Sequence, residues 1–312
     1  MKPTECLEDV YKSYKMYEAE EMYSTLVVNC VFNAFLSYTT IMLNVISIQA
    51  LRKTSSLSKP LKTLLLSLAV SDVGVGLLVQ PLYIVRMRVL MPDIQKNAIH
   101  NGTYEKIYIL HFIFGNLFCT ASFLGVVALA VDRFLAIHLH LRYQDFVTCK
   151  RVVAIVISAW VLSIFLSLFA LNSFFIDILV TIYAAIWTVS LLCTALLYCK
   201  IYTAIRRHRN QIQVLETQLE AQNGEISNTA RLRKTVLGTL YVYVVFLTCY
   251  LPYLCVKAAT IISGETVVLA HLFYYVTTLL FVNSSLNPLI YCWKMRNVRK
   301  AVMDILRNIF PS

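Results

Sequence analysis

Asp72 stands alone in an uncharged run, and Asn283, Ser284, Ser285, Asn287 and Pro288 crowd six positions of another. A lone carboxylate at mid-bilayer costs about 2.5–3.5 kcal/mol on insertion scales, so it needs a cation, a proton or several donors. Hydroxyl and amide oxygens are hard ligands that suit an ion. The same groups also serve as interhelical hydrogen bonds with no ion at all. Pro288 removes one helical hydrogen bond and bends its helix. The chemistry these residues offer is coordination and movement rather than bond making. No Ser–His or Asp–Asp pair lies at mid-depth, His111 and His271 fall near the ends of runs, and no CxxC or metal-ligand spacing occurs. We expect no enzyme and no cofactor.

The elements that must position these groups are apolar helices. Of 312 residues, 58% are apolar and 14% charged, which is the composition of one membrane domain. Spans are predicted at about 23–51, 60–87, 106–139, 235–262 and 266–293. The 48 residues from Val152 to Cys199 carry one charge, Asp177, and must hold two spans joined near Asn172-Ser173. Trp160 then lies in span four. Pro81 and Pro252 are further kink candidates. Of the 28 Lys and Arg residues, 20 fall on one set of alternating loops, which puts those loops in the cytosol and the N-terminus outside. Basic residues split among short loops do not make a nucleic-acid surface. The Arg206–Lys234 connection is basic at both ends and acidic in the middle, so two helices projecting from the membrane are expected there. After Trp293, apolar residues at 298, 302, 305, 306 and 309 keep helical spacing among basic ones, the pattern of an amphipathic helix on the inner leaflet, against membrane lipid. The expected fold is an all-α membrane protein, a seven-transmembrane helix bundle with a C-terminal amphipathic helix. Residues 1–22 form an extracellular N-terminus, 23–293 the transmembrane domain and 294–312 a cytosolic helix and tail. Asn101-Gly102-Thr103 is a glycosylation sequon in a predicted extracellular loop.

Seven spans carrying Asn44, Asp72, Asp132-Arg133-Phe134, Trp160, Cys249-Tyr250-Leu251-Pro252 and Asn287-Pro288-Leu289-Ile290-Tyr291 resemble the rhodopsin-like G-protein-coupled receptors. The resemblance covers essentially the whole chain and implies a plasma-membrane receptor that binds an extracellular ligand and activates heterotrimeric G proteins through outward movement of the sixth helix. It implies a sodium-type pocket at Asp72, Ser122, Asn283, Ser284 and Asn287, with Asn44 nearby, where a sodium ion acts as an allosteric ligand. It makes Asp132, Arg133, Tyr198, Tyr250, Pro252, Asn287, Pro288 and Tyr291 the coupling and activation residues. Tyr198 and Tyr291 match a pair that meets through water in the active state.

Departures from the pattern narrow the ligand. Tyr108 replaces the Cys at the outer end of span three, so no disulfide is expected. Ser190 replaces the span-five proline, Phe123 a small branched residue and Leu232 an acid that often locks Arg133. The chain looks most like the melanocortin, lysophospholipid, cannabinoid and adenosine branch. Yet Leu82, Tyr108 and Phe112 stand where melanocortin receptors carry acids, Lys257 replaces the Asn expected for adenosine, and Gly115 the amine-binding Asp. Arg86, His111, Gly115, Lys257 and His271 are the ligand-pocket candidates. With Arg88, these cations either form an entrance for an anionic lipid, small molecule or acidic peptide, or are helix-end charges reaching water. A secondary transporter is the rival class, since polar, proline-broken spans also mark substrate paths. Internal repeats, its usual companion, are not found.

Overall fold

The computed structural model describes residues 19–55, 57–91, 102–139, 142–169, 185, 187–201, 203 and 223–309. Helix α1 is Ala19–Lys53, α2 Lys59–Val89, α3 Thr103–Leu139 and α4 Cys149–Phe169. They are followed by α5 (Trp187–Ile201), α6 (Asn223–Ser263), α7 (Val267–Lys294) and α8 (Arg296–Ile309). Six of these, all but α5 and α8, are long and apolar enough to cross a bilayer, and α5 is a shorter apolar helix. Large apolar side chains such as Val31, Phe35, Phe165 and Leu196 face outward, as lipid contact demands. Asn101, Cys6, the Asn172-Ser173 junction and Arg206–Arg209 lie outside the described residues.

Helix α6 starts twelve residues before the boundary expected at Thr235, because nothing from Glu225 to Lys234 breaks a helix. The later half of the basic connection is therefore one continuous rod with the sixth span. Gly264, at φ 75°, turns the chain from α6 into α7, and the Thr266 side chain caps α7 by accepting from the Leu269 N–H at 3.3 Å. Met295 breaks the chain after α7, and α8 folds back against α1 and α7 with Val298 and Ile305 buried.

Two prolines are answered by side chains of α1. Residues Val75–Val79 of α2 form a π-helical turn, in which Gln80 N–H bonds back to the Val75 carbonyl. The same offset would give the Gly76 carbonyl to Pro81, which has no N–H. Ser37 Oγ donates to that carbonyl instead, at 2.7 Å. In α7, Pro288 frees the carbonyl of Ser284, and Asn44 Nδ2 donates to it at 2.9 Å. Gly76 permits this approach, since a Cβ there would sit 2.8 Å from Ile41.

Candidate functional site

The centre of the bundle holds the carboxylate. Asp72 is fully buried, and Asn287 Nδ2 donates to its Oδ2 at 2.8 Å, joining α2 to α7. Ser284, one turn before Asn287 on the same helix, is buried. Asp72 Oδ1, Ser122 Oγ, Asn283 Oδ1, Asn287 Oδ1 and Asn44 Oδ1 are all buried without a hydrogen-bond partner. Five oxygen atoms left so in hydrocarbon would each cost free energy. Carboxylate, hydroxyl and amide oxygens form the donor set of a hard cation or of ordered water. Among the described residues no group of three His, Cys, Asp or Glu is placed for a softer metal.

At the end bearing the basic loops, Arg133 is buried and folded onto its neighbour. Its Nε donates to Asp132 Oδ2 at 2.9 Å and a terminal nitrogen pairs with the same oxygen. Tyr143, on the one-turn helix Tyr143–Phe146, donates its hydroxyl to Asp132 Oδ1 at 2.6 Å. Burial and the adjacent carboxylate push the Tyr143 phenol above its ordinary range, so it stays a donor. Tyr143 was not singled out from sequence; the only signal was an aromatic residue in a basic loop.

Tyr198 and Tyr291 lie close to this level and do not share a bond. Tyr198 donates to the Thr239 carbonyl of α6 at 3.0 Å and stacks on Tyr243 at 4.8 Å. Tyr291 is fully buried and its hydroxyl has no partner. Tyr243 in turn donates to the Leu191 carbonyl at 2.9 Å, a second tie from α6 to α5.

Above them lies an aromatic block. Tyr250 stacks on Phe246, which lies between one and two turns below Pro252, at 3.9 Å, and meets Trp187 of α5 edge-on at 5.6 Å. Phe123 of α3 closes the group, 5.5 Å from Phe246 and 5.9 Å from Trp187. Trp187 brings α5 into this group, a partnership that only the fold reveals. Trp160 bonds Ser67 of α2 at 3.0 Å and so ties α4 into the bundle.

The pocket candidates separate into two groups. Arg86 lies over the Tyr108 ring at 4.8 Å, and the His111 ring is 5.4 Å from that of Tyr83. Gly115, one turn along α3, leaves room, since a Cβ would meet only Val79 at 3.8 Å. Lys257 covers the Phe273 ring at 4.6 Å. His271 is instead engaged with α1, its Nδ1 sharing a hydrogen bond with Thr25 Oγ1 at 2.7 Å. The eight cysteines among the described residues are free.

A bundle of apolar helices with a buried carboxylate at its centre and an Asp–Arg pair at its basic end is the build of a multi-pass membrane protein. The family model "7 transmembrane receptor (rhodopsin family)" matches residues 43–291, and the chain belongs to that family, whose members signal through G proteins. It is similar to melanocortin receptor 3 of Homo sapiens, 24% identical over 87% of this chain and 83% of that protein. It is also similar to the histamine H2 receptor of Canis lupus familiaris, 26% identical over 78% and 69% of the two chains. The adenosine receptor A2a of the same species is 24% identical over 85% and 68%. These relatives are receptors rather than enzymes.

Proposed function

We propose that the chain is a plasma-membrane receptor, N-terminus outside, in which an extracellular ligand shifts the bundle toward a state whose cytosolic mouth accepts a heterotrimeric G protein. The observation that carries this reading is the buried Arg133, held by Asp132 while Tyr143 holds Asp132 from the other side. A buried guanidinium is stable only with its partner, so releasing it requires an anion or carbonyl from elsewhere. Outward movement of the cytosolic half of α6 would uncover it and break the Tyr198–Thr239 bond. Tyr198 would then be free to reach Tyr291 through water. Pro252 supplies the hinge and the Phe246–Tyr250 stack transmits the change from above.

Asp72, Ser122, Asn283, Ser284 and Asn287 would hold a sodium ion, with Asn44 bracing the adjacent α7 backbone. Bound sodium would balance the Asp72 charge and favour the state that keeps α2, α3 and α7 together. This chain's own part is the oxygen set: orphaned acceptors that resist closure around nothing. Residues 1–22 would form the extracellular N-terminus with Asn101 glycosylated in the first outer loop, and α8 would lie on the inner leaflet.

Nucleotide exchange on purified heterotrimers, with the chain in nanodiscs, tests the reading. Exchange above that of empty discs, lost on Arg133→Ala, supports it. No exchange on any G-protein class, with the chain folded, contradicts it.

A further inference from the structure

At the end of the bundle away from the basic loops, two cations lie against aromatic rings. Arg86 on α2 is half-buried, lies over the Tyr108 ring, and keeps its Nε buried without a hydrogen-bond partner. Among the described residues no carboxylate pairs with it. Lys257 of α6 lies over the Phe273 ring, and Phe273, Tyr274, Tyr83 and His111 form one chain of ring contacts 5.4–6.5 Å apart. His111 of α3, one turn from Tyr108, contacts Tyr83 on the same turn of α2 as Arg86, and its Nε2 is also buried without a partner. Cation–π contact compensates such a guanidinium only in part, so the missing partner is an anion. Tyrosine rings flank the charges, and the gap at Gly115 opens one turn beneath His111.

We propose that Arg86 and His111, with Lys257 facing them from α6, form an anion subsite for a ligand with one carboxylate or phosphate head and an apolar or aromatic body lying toward Gly115. The planar guanidinium suits either head through paired N–H donors. This assignment deepens the receptor reading by naming the ligand's chemistry, and it rests on that reading only for the link from binding to signalling.

Thermal melting of the purified full chain in detergent tests it with four probes. Benzyl phosphate and its neutral counterpart benzyl alcohol form the soluble pair; oleyl phosphate and oleyl alcohol form the lipid pair. A ligand that binds the folded state raises the midpoint. We expect a rise with a phosphate and none with its neutral twin, and the more potent phosphate shows whether the head belongs to a soluble molecule or a lipid. Arg86→Gln should weaken phosphate binding about tenfold or more. Arg86→Lys should lose less, and Lys106→Gln, a control on an exposed cation of α3, nothing. Equal response to charged and neutral probes overturns the proposal, as does the lack of any phosphate effect on the wild-type chain. So does an Arg86→Gln variant that melts normally and keeps wild-type affinity. Nucleotide exchange run with the same probes separates the two claims. Binding without exchange counts against the receptor reading, and exchange indifferent to Arg86 counts against the subsite.

Discussion

Between α1 and α7 the helices exchange side-chain hydrogen bonds at four levels, whereas between α3 and α6 the contacts are rings. Thr25 meets His271, Asn29 and Asn33 share Thr278, Thr40 meets Ser285, and Asn44 takes the Ser284 carbonyl, all at 2.7–2.9 Å. On the other side, Phe123, Phe246, Tyr250 and Trp187 pack face and edge, and Tyr198 and Tyr243 tie α5 and α6 through bonds to carbonyls. Directional bonds break all at once when a helix shifts, while stacked rings can slide and repack. The movement proposed for α6 therefore falls on the aromatic side, with the bonded side as its frame. The α1–α7 frame also answers both proline defects, so kinks at Pro81 and Pro288 are held fixed while that at Pro252 stays free to hinge.

Breaking the frame should cost the most stability. Asn44→Leu removes the donor to the Ser284 carbonyl and leaves it orphaned, so we expect a loss of about 1–3 kcal/mol, read as a lowered melting midpoint. Ser37→Ala should do the same at Gly76, with about 1–2 kcal/mol. Wild-type melting in both would dissolve the contrast. On the mobile side the readout changes from stability to signalling. Tyr143→Phe keeps the ring and deletes the bond to Asp132, worth about 1 kcal/mol, so unliganded nucleotide exchange should rise about fivefold. Unaltered basal exchange would mean that Tyr143 only packs. The smallest effect should come from a Thr40→Ala, Ser285→Ala double-mutant cycle. Its coupling energy should be near 0.6 kcal/mol, roughly the average for hydrogen bonds between membrane helices.

Much of the moving side was legible in the sequence. Pro252, Phe246 and Tyr250 share one helix at helical spacing, and an Asp–Arg pair at the end of a span has few other uses. The Asp72–Asn287 bond was foreseeable too, since a lone carboxylate and a polar cluster in the same bilayer must find each other. The frame was far less so. Thr25, Asn29, Asn33, Ser37, Thr40 and Asn44 recur every three or four residues, yet Ser, Thr and Asn can bond their own preceding turn. Asn33 does both, donating to the Asn29 carbonyl and to Thr278. Periodicity alone therefore cannot say that a polar stripe faces a partner. His271 illustrates the same limit: the sequence places it near a helix end, and packing decides that α1 takes it. Tyr143 and Trp187 depend on chain elements meeting across a loop or a gap, which no local pattern records.

The central claim is that α6 moves against a fixed α1–α7 frame. Its most direct test is distance measurement between spin labels at lipid-facing positions, with exposed native cysteines replaced. One pair joins Val45 of α1 to Val244 of α6, and the other joins Val45 to Leu289 of α7. On binding nucleotide-free G protein, the first distance should lengthen while the second holds. A first distance that holds, or a second that changes as much as the first, would contradict the account.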